Sequence, residues 1–117
     1  MSHYSDTIAA IATPSGIGGI AVLRLSGDNA TAIALRHSNR TALTPRHATY
    51  SLFRNGDEII DDVVMTYYPA PHSYTGEDSV EISCHGSRYI LNKVLELLVQ
   101  NGCRMAGPGE YTQRAYL

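Results

Sequence analysis

The sequence predicts an α+β fold, a mixed β-sheet of five to six strands packed with two to three helices. Three observations carry this. Aliphatic and β-branched runs come in pairs instead of alternating singly with helices. Asn55-Gly56 stands between two such runs, as a tight hairpin requires. One segment, Ser87 to Asn101, carries a long helical stripe of Leu91, Val94, Leu95 and Leu98.

From the amino terminus, Asp6 to Thr13 is a compact apolar strand, Pro14 to Gly19 is glycine-rich turn chemistry, and Ile20 to Ser26 is a second strand. Gly27-Asp28 leads into a short amphipathic helix over Asn29 to Arg36, with Ala30, Ile33 and Ala34 on one side and an acidic first turn. After the polar stretch Ser38 to Pro45, Ala48 to Arg54 and Ile59 to Tyr68 are the hairpin strands. Pro69-Ala70-Pro71 ends the second of them, because proline removes a ladder donor and restricts its predecessor. His72 to Asp78 is a polar loop, and Ser79 to Cys84 alternates polar and apolar as a two-faced strand does. Gly102 closes the long helix. Arg104 to Ala106 is a last short strand, and Pro108-Gly109-Glu110 opens a helix that reaches Leu117. A helix this short is marginal alone, so the chain is expected to be part of a longer protein.

The length of 117 residues suits one domain covering 1–117, whose folding buries roughly 65% of the extended chain's surface. Apolar residues at 44% and charged residues at 17% exclude a disordered chain. No apolar run approaches the roughly 20 residues of a membrane span, and the start lacks signal-peptide character, so a cytoplasmic protein with no membrane partner is expected. Cys84 and Cys103 are expected as reduced thiols. Nine basic against eleven acidic residues, with the basic ones scattered singly, give no electrostatic stripe for RNA.

Arg24 is the first residue to break a local rule. It shares a strand face with Ile20 and Val22, opposite Ala21, Leu23 and Leu25, in a segment that reads as buried on both sides. A desolvated guanidinium needs a partner: either an internal salt bridge or edge position, or a ligand's anionic or carbonyl group. Glu81 is the natural counterpart, on a polar face with Ser79, Ser83 and His85. That face is either simply solvated, or its carboxylate accepts two hydrogen bonds from a ring N–H and the adjacent exocyclic amine of a pterin. His85-Gly86-Ser87 joins this strand to the long helix, where the turn either holds an anion or Ser87 caps the helix. The Gly16–Gly19 loop lacks a Gly-Lys-Ser/Thr ending, so no nucleotide site is expected, and the histidines lack ligand spacing, so no metal site is expected.

Three ordered stretches resemble one family. Asp6 to Pro14 with Gly16 to Gly27, then Ser73-Tyr74-Thr75-Gly76-Glu77-Asp78 with Glu81 and Cys84-His85-Gly86, then Pro108-Gly109-Glu110-Tyr111-Thr112 with Arg114 to Leu117, are together similar to the amino-terminal domain of the tRNA-modification GTPases called MnmE or TrmE. Ser87 departs from the family's usual second glycine. The resemblance implies a fold like half of the folate-binding glycine-cleavage T protein, a 5-formyl or 5,10-methylene tetrahydrofolate cofactor, and a homodimer. It assigns folate contacts to Arg24 and Glu81 and places His85 and Gly86 in the same motif, with no catalytic residue in this segment. It further implies GTP, Mg2+ and K+ sites outside this chain, a flavoprotein partner MnmG (GidA), and tRNA as the substrate modified. The GTPase motifs are missing here, so the segment alone is expected to hydrolyse no GTP. Two alternatives stand beside this expectation: a free-standing folate-dependent one-carbon transferase module, and a purely structural dimerisation domain. The loop after Thr13 and its flanking strands are the expected contact region between copies.

Overall fold

The computed structural model describes residues 6–12 and 19–115. Its strands are β1 (Thr7–Ile11), β2 (Ile20–Ser26), β3 (Thr49–Asn55), β4 (Glu58–Tyr68), β5 (Ser79–His85) and β6 (Cys103–Met105). Its helices are α1 (Ala30–Arg36), α2 (Arg88–Gln100) and α3 (Glu110–Ala115). Among the described residues the six strands form one mixed sheet in the order β3-β4-β5-β2-β1-β6. All neighbours are antiparallel except β1 and β6, because α2 carries the chain back across the sheet before β6 pairs with β1.

Side-chain alternation divides this sheet into two unlike faces. The register aligns Ala9 with Leu25, Leu25 with Val80, and Leu23 with both Ala10's neighbour Ile11 and Ile82, while Met65 lies beside Ile82. Leu23, Leu25, Met65, Val80 and Ile82 are buried beneath Ile33 and Ala34 of α1 and Val94, Leu95 and Leu98 of α2. Each such large aliphatic contributes about 1.5–3 kcal/mol relative to exposure, so this layer dominates the stability. Ile8 is equally buried but faces the other way, since its register partner is Ser26.

Differences from the expected elements are local. The acidic residue Asp28 precedes α1 instead of entering its first turn; Asn29 is the N-cap, and its N–H is taken by Thr7 Oγ1 at 3.2 Å. The hairpin turn is Gly56-Asp57, with Asn55 still paired to Glu58, so the positive φ of 61° falls on the glycine at the first central position. Ser87 caps α2, its Oγ accepting the Ile90 N–H at 3.4 Å, and Gly102 follows that helix with φ of 111°. Most of the glycine loop, including Thr13 and the expected contact region after it, lies outside the described residues, as do Tyr116 and Leu117.

Candidate functional site

The face of the sheet opposite α1 and α2 is where the candidate residues meet. Arg24 and Glu81 are register partners on adjacent strands β2 and β5, so their side chains leave the same face side by side. Arg24 donates to Glu81 Oε2 through Nε at 3.2 Å and Nη2 at 2.9 Å. The two side chains are 28% and 31% accessible. The expectation that β2 is buried on both sides is corrected here: α1 and α2 cover one face, and Ile20, Val22 and Arg24 lie on the more open one, which α3 covers only in part. The pair is thus an internal salt bridge that also faces solvent. Among the described residues, Glu81 Oε1 and Arg24 Nη1 make no hydrogen bond.

Two aromatic rings frame the guanidinium. Tyr74 lies 5.4 Å and Tyr111 5.9 Å from it, ring centroid to Cζ. Tyr111 belongs to α3, and its hydroxyl donates to the backbone carbonyls of Ile8, at 3.1 Å, and Arg24. Burial first of all raises its phenol pKa well above 10, so it remains a neutral donor.

Beneath these rings lies a polar cluster that sequence reasoning missed. Ser26 Oγ meets Thr75 Oγ1 at 2.6 Å and donates to Glu77 Oε1 at 2.9 Å. Arg114 donates to Glu77 at 2.9 Å through Nη1 and to Asp6 at 2.6 Å through Nη2. Arg104 joins Asp6 at 2.7 Å and pairs with Glu110, whose carboxyl it pulls down to about 2. Glu110 and Arg114 stand at helical i,i+4 spacing, which was a legible signal. Their partners Asp6 and Glu77 are remote in sequence, so only folding brings the three motifs together.

At the far end of β5, His85 Nδ1 lies 2.7 Å from Asp61 Oδ1, and the His85 N–H donates to Asp61 Oδ2 at 2.9 Å. Asp62 is 3.9 Å away. These three residues offer atoms within 4.8 Å of one another, a grouping invisible in sequence because the aspartates lie on β4. The neighbouring N–H groups of Gly86 and Ser87 already serve the carbonyls of Gly19 and His85. With Ser87 Oγ on Ile90 N, capping describes this turn better than an anion cradle, since an anion there would meet two aspartates. Beside it, a cavity of about 190 Å3 is lined by Ile20, Tyr50, Val64, Ser83 and His85.

The hydrogen bond that His85 donates to Asp61, then the charges of Asp61 and Asp62, raise the His85 pKa above its ordinary 6.5. A raised folded-state value means that the stabilisation is fully present below about 6.5 and is lost as pH rises through the higher folded value. The imidazole C–H resonances of His85 should therefore titrate above pH 6.5 and fall back toward it in Asp61→Asn. A wild-type midpoint at or below 6.5 contradicts the pairing. Cys84 and Cys103 are buried free thiols, each pushed up to about 11 chiefly by burial, and so unsuited to act as nucleophiles near neutral pH.

The fold and this face define an α+β domain that backs α1 and α2 on one sheet surface and presents a polar, tyrosine-framed ion pair on the other, flanked by α3. Residues 7–117 match the family model described as GTP-binding protein TrmE N-terminus, and the chain belongs to that family. It is 51% identical to a tRNA modification GTPase MnmE of Bacteroides thetaiotaomicron, over 96% of this chain and 25% of that protein. It is 53% identical to one of Campylobacter jejuni subsp. doylei, over 97% and 26%, and 46% identical to one of Porphyromonas gingivalis, over 99% and 26%. The chain thus spans about a quarter of the length of these relatives. No helix among the described residues is long and apolar enough to cross a membrane.

Proposed function

We propose that this chain is the folate-binding, self-pairing amino-terminal module of a cytoplasmic tRNA-modification GTPase. The observation that supports this reading best is the Arg24–Glu81 pair, in which each partner orients the other while Glu81 Oε1 and Arg24 Nη1 retain bonding capacity. A reduced pterin fits that donor set. Its ring N–H and exocyclic amine suit the carboxylate, and its carbonyl suits the guanidinium. When bound, a 5-formyl or 5,10-methylene tetrahydrofolate would supply a one-carbon unit. The residues of this chain bind and orient: Glu81 and Arg24 take the edge of the ring, Tyr111 holds β2 in place through the Arg24 carbonyl, and His85 and Gly86 form the far rim.

The relatives' name supports assigning the rest of the activity to the longer protein. In that reading GTP, Mg2+ and K+ act outside this chain, and with a flavoprotein of the MnmG (GidA) kind the whole protein adds an aminomethyl-type group to the wobble uridine of tRNA. The module resembles half of a glycine-cleavage T protein, and a second copy of it, forming a homodimer, supplies the missing half. The same relatives weigh against a free-standing transferase.

Calorimetric titration of 5-formyltetrahydrofolate into the full-length protein tests the site. Glu81→Ala should weaken binding roughly thirtyfold, on the order of 2 kcal/mol for a charge-assisted hydrogen bond. Unchanged affinity in that variant removes the assignment. Sedimentation at micromolar concentration tests pairing: a dimer without folate binding would favour a purely structural role, and a monomer would end the pairing proposal.

A further inference from the structure

The ion pair reads an edge, yet a planar heterocycle also has two faces, and one exposed ring beside the pair remains without a structural task. We propose that Tyr74 is the stacking residue of this site, so that the ligand class is a planar amino-oxo heterocycle read on its edge by Arg24 and Glu81 and on its face by Tyr74. This deepens the folate reading and rests on it.

Tyr74 is 54% exposed, in a loop whose neighbours Thr75 and Glu77 are buried. Its hydroxyl makes no hydrogen bond among the described residues, although its ring lies 5.4 Å from the Arg24 Cζ. Exposing a large aromatic ring gains nothing for folding. The loop beneath it is nevertheless strongly anchored. Thr75 is held by Ser26, Glu77 by Ser26 and Arg114, and Ser73 Oγ bonds the Glu77 carbonyl. Gly76 turns the chain at φ of 81°, with its N–H on the Ser73 carbonyl at 3.3 Å. A buried mount thus stations one exposed ring over the site.

The comparison with Tyr111 decides between the two rings. Tyr111 is half-buried and its hydroxyl is committed to the Ile8 and Arg24 carbonyls, so it braces β1 and β2 and cannot turn toward a ligand without breaking those bonds. Tyr74 has no such commitment. An exposed guanidinium–ring contact is weak, so exchanging it for a stack on a heterocycle costs little. Because a tyrosine on a rigid loop has only two side-chain torsions to order, most of the stacking gain appears as affinity.

The test titrates 5-formyltetrahydrofolate into full-length wild type, Tyr74→Phe, Tyr74→Leu and Glu81→Ala, with p-aminobenzoylglutamate as a probe lacking the pterin. Tyr74→Leu should weaken 5-formyltetrahydrofolate by about three- to tenfold, while Tyr74→Phe binds as wild type does, the range expected of one aromatic pair. Any affinity for p-aminobenzoylglutamate should be the same in wild type and Tyr74→Leu. Equal thermal midpoints for wild type and Tyr74→Leu would exclude a loss through unfolding. If Glu81→Ala weakens binding but Tyr74→Leu does not, stacking is overturned and the edge site stands. If wild type binds nothing, or Glu81→Ala binds as wild type does, the site reading fails and the stacking proposal fails with it.

Discussion

Arg114→Ala is expected to destabilise the domain by about 3–5 kcal/mol, the cost of removing one partner from a buried ion pair. The Arg114 side chain has no solvent exposure, and that of Glu77 has 3%. Alanine would leave the Glu77 carboxylate buried without its guanidinium, and it would also release Asp6 and Glu110 from the same cation. Since α3 carries both Arg114 and Tyr111, its docking on the Ile8 and Arg24 carbonyls should loosen together with the ion cluster. Equilibrium urea unfolding measures the loss, and a change below about 1 kcal/mol, the range of an exposed pair, would show that the cluster contributes as a surface feature. The acid limb supplies a second signature. Asp6 and Glu110 titrate below their ordinary values because Arg104 hydrogen-bonds them, with Glu110 at about 2. Their folded pKa values are depressed, so their stabilisation is present above about 4.5 and is lost as pH falls toward 2. That acid dependence should be shallower in Arg104→Ala, and to a smaller degree in Arg114→Ala, because Arg114 contributes less to both shifts.

Gly27→Ala should cost roughly 2–5 kcal/mol, combining backbone strain with overpacking. Gly27 has φ of 143°, and a Cβ there would lie 2.5 Å from Thr7 Oγ1, 2.6 Å from Thr7 Cα and 2.8 Å from the Asp6 carbonyl oxygen. Two of these atoms are backbone. Neither side can retreat freely, because Gly27 N–H is bonded to the Asp78 carbonyl at 2.9 Å while Thr7 is held in β1 opposite Cys103. Any shift would also disturb the Thr7 Oγ1 that receives the Asn29 N–H at the start of α1. Gly107→Ala is the control. Its Cβ would meet only Glu110 Oε1 at 3.7 Å, so its unfolding midpoint should stay close to wild type. Similar midpoints for the two variants would show that the contact between Gly27 and β1 is not required.

Much of the site could be read before folding was known. Arg24 interrupts an aliphatic strand, Glu81 lies on the polar side of an alternating one, and the motif order pointed to the family that residues 7–117 match. The hairpin was legible too, but its turn moved by one residue, because only the register shows that Asn55 still pairs with Glu58. His85 illustrates the limit in the other direction. Its turn could be read either as an anion site or as a Ser87 cap until β4 brought Asp61 and Asp62 beside it.

By itself, the sequence determined the strands, the helices and which side chains share a face, since these follow from local periodicity of 2.0 and 3.6 residues. Only the tertiary structure decided which face α1 and α2 cover, that Arg24 and Glu81 are register partners, and that Asp6, Glu77 and Glu110 converge on the buried Arg114. The physical reason is that strand register and charge pairing across 37 or more positions are settled by the packing of the whole core, whereas periodicity informs only about neighbours within a few residues.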